Sequence, residues 1–297
     1  MNDPNGDSDT ERATVLAPAE PQAGGDLPRL IVVSGMLLGF QIEIGDRPLV
    51  IGRSSECDIC LPHPSVSRQH CRVYREAERF LIEDLGSTNK TFVNGVMVHR
   101  SELSDADQIG VGNHALKFFR GVSQEARYHQ ELIDLAIYDS LTGFLNRRQF
   151  RARLDEELVT ADEQQQPLTL ILIDLDHFKR VNDEHGHLAG DHVLGELARV
   201  LRGQAQPGML LGRLGGEEFG VALPGIALVQ ALVLADRLRA HVQDHRFEVR
   251  GMRLPITASF GVSEWRPEFS GSSQLLKLAD EALYRAKDSG RNKVCSA

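Results

Sequence analysis

What the sequence lacks narrows its class before any motif is read. No stretch of the 297 residues approaches the ~20 consecutive apolar residues of a membrane-spanning helix. A basic excess is missing too, since 33 Lys and Arg stand against 42 Asp and Glu, a net charge of -9. That balance argues against a nucleic-acid coat or a polybasic membrane patch. It leaves a nucleotide substrate open, because a few local cations and a metal can hold phosphates within an acidic protein. The opening MNDPNGDSDTERATVLAPAEPQAGGD has neither a basic segment nor an apolar core, so no signal peptide is expected. Cysteine is scarce, at positions 57, 60, 71 and 295. Cys57 and Cys60 form C-x-x-C with His63, His70 and Cys71 close behind, but the second well-spaced ligand pair of a usual zinc site is absent. Free thiols in a reducing cytoplasm are the expectation. The protein is expected to be soluble and cytoplasmic, with no nucleic-acid or membrane partner.

What is present reads as a tail and two domains. Residues 1–27 are rich in Asp, Glu, Pro, Gly and Ala, and cannot bury enough surface to offset their ordering entropy. A disordered tail is predicted there. Residues 28–120 carry short apolar runs such as LIVVSG, LVIGR, CRVYRE, RFLIEDLG and ALKFF, broken by Gly, Asp, Asn and Pro. Closely spaced strands without a convincing helix predict an all-β sandwich. A helix joins this domain to the next over 121–138, with Tyr128, Leu132 and Leu135 at i, i+4 and i+7 marking one apolar stripe. The stripe suits packing on the helix's own domain or pairing with a second copy. From 139 to 297 helical and strand patterns alternate, which predicts a mixed α/β domain with hairpin and crossover connections.

Within that second domain two acidic groups stand out. The buried-strand pattern LTLILIDL ends at Asp174 and Leu175, with Asp176 next, and acidic residues at a strand end can hold a hard cation. Glu217 and Glu218 follow Gly215 and Gly216 in a predicted hairpin turn, where glycine lets backbone approach a phosphate. A glycine-acidic turn is weak evidence alone. The two elements together are much stronger.

RLGGEEF (213–219) resembles the signature of the GGDEF family of diguanylate cyclases, in its GGEEF variant. The likeness extends through DSLTGFLNRR (139–148), IDLDHFKRVNDEHGHLAGD (173–191), ITASFGV (256–262) and ADEALYRAKDSGRN (279–292). The resemblance implies a fold like the palm of polymerases and nucleotidyl cyclases. It implies Asp174, Glu217 and the carbonyl of Leu175 as Mg²⁺ ligands, with Mn²⁺ a possible substitute. Glu218 completes that site and helps deprotonate the attacking hydroxyl. On the same resemblance Asn182 and Asp191 would read the guanine edge, while Lys179, Lys287 and Arg291 would neutralise phosphates. The implied reaction joins two GTP into cyclic di-GMP. The 3′-hydroxyl of one attacks the α-phosphorus of the other and pyrophosphate leaves, with two metals stabilising both oxygens. Each domain holds one GTP, so a homodimer is required. One departure stands out: Gln206-Pro207-Gly208-Met209 occupies the place of the family's inhibitory R-x-x-D, so product inhibition through that site is not expected.

The β-rich segment is similar to the forkhead-associated (FHA) family, through IGRSSECDICLPHPSVSRQH (51–70), LGSTNKTFVNG (85–95) and LSDADQIGVG (103–112). The resemblance implies phosphothreonine binding by Arg53 and Ser67, with Thr88 in support, Arg68 adding charge and Asn89 bonding the peptide backbone. His70 and Gly52 fix loop geometry, and Lys90 replaces the usual glycine after Asn89. A phosphothreonine partner implies a Ser/Thr kinase. Thr10 and Thr14 of the protein's own tail are candidate sources of the phosphothreonine.

Overall fold

A computed structural model describes residues 27–35, 37–121, 124–249 and 251–297. The predicted tail, with Thr10 and Thr14, lies outside them but for Leu27. The chain divides into two compact units, with the break between Ile137 and Tyr138.

The first unit is all-β up to its last helix. Its strands are β1 (Arg29–Ser34), β2 (Gln41–Glu43), β3 (Leu49–Gly52), β4 (Ile59–Cys60), β5 (Cys71–Glu76) and β6 (Arg79–Asp84). They continue as β7 (Thr91–Val93), β8 (Val96–Val98), β9 (Arg100–Leu103), β10 (Gln108–Val111) and β11 (His114–Phe119). One sheet runs β2-β1-β11-β10-β7-β8 and the other β4-β3-β5-β6-β9. Alternate residues of β5 and β11 are buried, as expected where one face of a strand meets the core. Val32, Ile109, Leu116 and Phe118 from one sheet meet Ile51, Val73, Phe80 and Ile82 from the other. The predicted sandwich is what forms.

Helix α1 (Gln124–Ile137) closes this unit. Among its described side chains Ile133 and Ile137 are buried, and they press so closely on Gly39 that a Cβ there would collide with both. The predicted stripe of Tyr128, Leu132 and Leu135 is instead exposed. Period 3.6 found the helix, but not which face its own domain covers.

The second unit comprises β12 (Leu145–Asn146), α2 (Arg147–Gln164), β13 (Leu168–Leu175), α3 (Phe178–His185), α4 (His187–Arg202), β14 (Leu210–Gly215) and β15 (Glu218–Pro224). After them come α5 (Leu228–Asp244), the hairpin β16 (Phe247–Val249) and β17 (Met252–Leu254), β18 (Ala258–Glu264), α6 (Ser272–Asp288) and β19 (Val294–Ser296). The six-stranded sheet has the order β12-β14-β15-β13-β18-β19. Central β13 is antiparallel to both neighbours, and all eight of its residues are buried.

Alternation along β13 divides the core in two. Ile171, Ile173 and Leu175 face one cluster with α4 and α5, whereas Leu168, Leu170 and Leu172 face another with α2 and α6. Asp174 therefore belongs to the α2–α6 face. The first six residues of β18 are all buried because helices cover both faces of the sheet. Strands β16, β17 and β19 have three residues each, too few to show a period in the sequence. Among the described residues no helix is long and apolar enough to cross a membrane.

Gly261 sets how closely α6 can lie on β18. A Cβ there would sit 2.1 Å from the Ala279 carbonyl oxygen and 2.3 Å from the Leu283 nitrogen, both backbone atoms that cannot swing away. Gly261→Ala is expected to cost about 3 kcal/mol, near the upper end of overpacking effects, visible as a lower urea midpoint.

Candidate active site and phosphopeptide reader

The acidic centre lies where two neighbouring strands end. In the antiparallel register Asp174 of β13 stands opposite Glu218 of β15, and Glu217 occupies the turn just before. Gly216 holds φ 49°, a left-handed conformation that glycine adopts without strain, so the β14–β15 turn can bend sharply. The Leu175 amide donates to the Glu217 carbonyl at 3.5 Å, tying the strand end to that turn. Asp174 is buried and Lys287 of α6 approaches it at 2.7 Å, on the face that strand alternation assigns to it. Burial pushes the Asp174 carboxyl above the usual range; Lys287 opposes this, and Glu217 and Glu218 push it higher. A site with more negative charge than its one ammonium offsets, and with oxygen donors only, suits a hard divalent cation. Among the described residues no cluster of three or more His, Cys, Asp or Glu side chains that could hold a metal ion is present.

Helices α3 and α4 supply the next predicted group. They meet at Gly186, whose φ of 85° permits the abrupt turn. The Asn182 side chain lies against the backbone of Gly190, where a Cβ would come within 2.0 Å of its Oδ1. Asn182 is thus brought beside the residue preceding Asp191. Asp191 and Lys179 are exposed, and so is Arg291 in the turn after α6.

Arg213 opens the RLGGEEF segment. Its Nε and Nη2 donate to the Gly216 carbonyl at 3.0 and 2.8 Å, and its Nη1 reaches both carboxylate oxygens of Asp139 at 3.2 and 3.1 Å. Asp139 also accepts from the amide and hydroxyl of Thr142. Burial raises the Asp139 pKa, but those Thr142 bonds and Arg213 outweigh it and hold the group below the usual range. The start of this unit is thereby clamped to the acidic turn. Sequence proximity to the glycines was the only available signal, and it does not reveal a partner 74 residues away.

In the first unit the predicted phosphate-binding residues come from three loops at one end of the sandwich. The Arg53 amide donates to the Ser67 carbonyl at 2.9 Å, and the Thr88 amide donates to Ser67 Oγ at 3.1 Å. Asn89 Nδ2 donates to the Ser65 carbonyl at 2.8 Å. Gly52 permits this crowding, since a Cβ would lie 2.2 Å from the Arg68 carbonyl oxygen. Buried His70 accepts the Ser67 amide at Nδ1, so its Nε2 carries the proton donated to the Lys90 carbonyl. Buried Asp84 accepts from the Gly86 and Ser87 amides and the Ser87 and Thr91 hydroxyls, bracing the loop that carries Thr88 and Asn89. Arg53, Arg68, Thr88 and Asn89 remain exposed to a ligand.

The thiols near this end have other partners. Cys57 donates to the Arg68 carbonyl and Cys60 to the Arg53 carbonyl. Burial pushes the Cys71 thiol up to about 12.

His114 is 2 % exposed with neither ring nitrogen hydrogen-bonded, and it meets His63 edge-on at 5.8 Å. Burial lowers its pKa below 6.5, and the neighbouring His63 lowers it further. A base with a depressed folded pKa binds fewer protons folded than unfolded, so stability is present above about pH 6.5 and is lost as pH falls toward the folded value. The melting temperature of this unit should therefore drop between pH 7 and 5. His114→Phe should flatten that slope in calorimetry.

The description "Diguanylate cyclase, GGDEF domain" matches residues 136–293, and "FHA domain" matches 49–112. The chain is 44% identical over 164 residues to the response regulator PleD of Caulobacter vibrioides, covering 54% of this chain and 36% of that protein. It is 35% identical over 212 residues to the diguanylate cyclase DgcP of Pseudomonas aeruginosa, covering 68% of this chain and 31% of that protein. Among solved structures, the coiled coil and GGDEF domain of DgcB from Caulobacter crescentus, in complex with c-di-GMP, aligns with TM-score 0.55 and 32% identity. That match covers 59% of this chain and 93% of the other. The diguanylate cyclase SiaD of Pseudomonas aeruginosa, in complex with its activator SiaC, aligns with TM-score 0.53 and 40% identity, covering 58% and 69%. The chain spans about a third of the length of PleD and DgcP. With a palm-like α/β unit and an acidic strand-end site, it belongs to the GGDEF family of diguanylate cyclases and carries an FHA domain ahead of that unit.

Proposed function

We propose that this chain is a cytoplasmic diguanylate cyclase that condenses two GTP into cyclic di-GMP and two pyrophosphates, under control of phosphothreonine binding by its FHA domain. The observation that carries the reading is the pooling of Asp174, Glu217 and Glu218 at adjoining strand ends, opposed by Lys287. Mg²⁺, with Mn²⁺ as substitute, would be held by Asp174, Glu217 and the Leu175 carbonyl. When bound it supplies Lewis-acid stabilisation of the oxygens that attack and leave. Lys287 exchanges its partner Asp174 for substrate phosphate, with Lys179 and Arg291 adding charge. Glu218 takes the proton of the attacking 3′-hydroxyl. Asp191 accepts from guanine N1–H and N2–H₂ while Asn182 fixes the same edge, which favours GTP over ATP because adenine N1 only accepts.

Each α/β unit binds one GTP in this scheme, so two copies of the chain meet for catalysis. The exposed apolar stripe of Tyr128, Leu132 and Leu135 supports pairing through α1. Arg53, Ser67, Arg68, Thr88 and Asn89 form the phosphothreonine reader, which a Ser/Thr kinase supplies with ligand. Thr10 and Thr14 are the proposed source within the chain. Inhibition by product through residues 206–209 is not expected.

The test is incubation of the purified chain with GTP and Mg²⁺, with chromatographic detection of cyclic di-GMP and pyrophosphate. No product from either phosphorylated or unphosphorylated protein would end the catalytic reading. Unchanged stimulation by the kinase in Thr10→Ala and Thr14→Ala would remove the tail from it.

A further inference from the structure

Asp176 stands two residues beyond Asp174, and its sequence position alone would suit a further metal ligand. Its surroundings point elsewhere. The carboxylate is 6 % exposed, and donors engage both of its oxygens. Ser259 Oγ donates to Oδ1 at 2.7 Å, while Thr257 Oγ1 and the Asn292 amide donate to Oδ2 at 2.7 and 3.0 Å. Its own amide donates to the Thr257 carbonyl. One carboxylate thus joins the end of β13, the start of β18 and the turn that follows α6.

That turn is conformationally costly. Gly290, Arg291 and Asn292 have φ of 111°, 60° and 48° in succession, and left-handed backbone is unfavourable for arginine by roughly 1 kcal/mol. Such a run persists only where its surroundings over-determine it. Asn292 is held from a second side, where its Oδ1 accepts from Arg239 of α5 at 3.2 Å and its Nδ2 donates to Gln243 at 2.8 Å. The Arg291 amide closes back on the Ala286 carbonyl at 3.0 Å. The exposed Arg291 side chain therefore leaves a backbone braced by Asp176 below and α5 beside it, one turn of α6 past Lys287.

We propose that Asp176 is a positioning residue for the triphosphate, acting through the Asn292 amide to fix the strained turn that presents Arg291. This rests on the nucleotide reading of the site given above. Asp176 touches neither metal nor substrate; it prevents the turn from relaxing and carrying the guanidinium away.

The test uses the full chain, Mg²⁺ and 3′-deoxy-GTP, which lacks the attacking hydroxyl and so binds without cyclising, with affinity read by calorimetry. Asp176→Ala should weaken binding about 10-fold. Asp176→Asn should restore it to within about 3-fold, because its carbonyl still accepts the Asn292 amide while the Ser259 hydroxyl turns to accept from its NH₂. Arg291→Ala should add little in the Asp176→Ala background, since both changes remove one interaction. The Mg²⁺ midpoint should stay put in Asp176→Asn. Additive losses, an asparagine variant as weak as the alanine one, or a displaced Mg²⁺ midpoint would overturn the proposal, the last by making Asp176 a ligand. If Asp176→Ala does not fold, Asp176→Ser takes its place in the cycle, with the same non-additivity required. Failure of the unaltered chain to bind the analogue overturns the nucleotide reading itself, and is thus distinguishable from failure of the positioning role.

Discussion

Glu217→Gln is expected to lower cyclic di-GMP formation by about 10³-fold or more while leaving the fold intact, the scale at which preorganised electrostatic groups act in catalysis. The substitution is isosteric and falls in a turn, where Glu217 is only half-buried and its backbone carbonyl, not its side chain, accepts the Leu175 amide. What changes is charge. With one carboxylate fewer, the upward push on the Asp174 pKa weakens and the Lys287 pair can only strengthen. Folding stability should therefore hold or rise slightly. Loss of activity with an unchanged melting curve separates a chemical role from a structural one. Activity within about 10-fold of the unaltered chain would remove Glu217 from the metal site.

The second large effect belongs to the reader. Arg53→Ala should weaken binding of a phosphothreonine peptide by about 100-fold, equivalent to about 3 kcal/mol and in the range of charge-assisted hydrogen bonds to a phosphate. Arg53 bonds to the scaffold through its backbone amide and projects an exposed side chain, so truncation should spare the domain. Arg53→Lys should fall between the two, keeping the charge but losing the planar fork. Fluorescence anisotropy with phosphorylated and unphosphorylated versions of one peptide provides the check. Equal binding of both versions would show that phosphate is not what this end of the sandwich reads.

Both candidate sites were legible in the sequence for the same reason. Their candidate residues sit in short contiguous motifs that resemble those of known families, with glycines beside them. Asp174 closes a run of apolar residues, and Glu217 follows two glycines. Arg53 follows Gly52. Local pattern also sufficed for the sandwich, the long helices and the central strand, where burial imposes a period. It did not reveal β16, β17 or β19, each too short to carry one. On α1 Tyr128, Leu132 and Leu135 mark one apolar face while Ile133 and Ile137, also at i and i+4, mark another; spacing alone does not choose between them, and packing on Gly39 covers the second.

By itself the sequence determined the two-domain order, the strand-end and turn positions of the acidic residues, and the loops holding the phosphate-binding candidates. The first two follow from patterns of neighbours a few residues apart, and the third from resemblance of whole motifs to the FHA family. Tertiary structure alone decided that Lys287 meets Asp174, that Arg213 joins Asp139 to Gly216, and that Asp176 serves Asn292. These partners are 113, 74 and 116 residues distant along the chain for the pairs Lys287–Asp174, Arg213–Asp139 and Asn292–Asp176 (287 − 174 = 113). No local period links groups so far apart. Sheet order and helix packing bring them together, and burial then makes their charges matter.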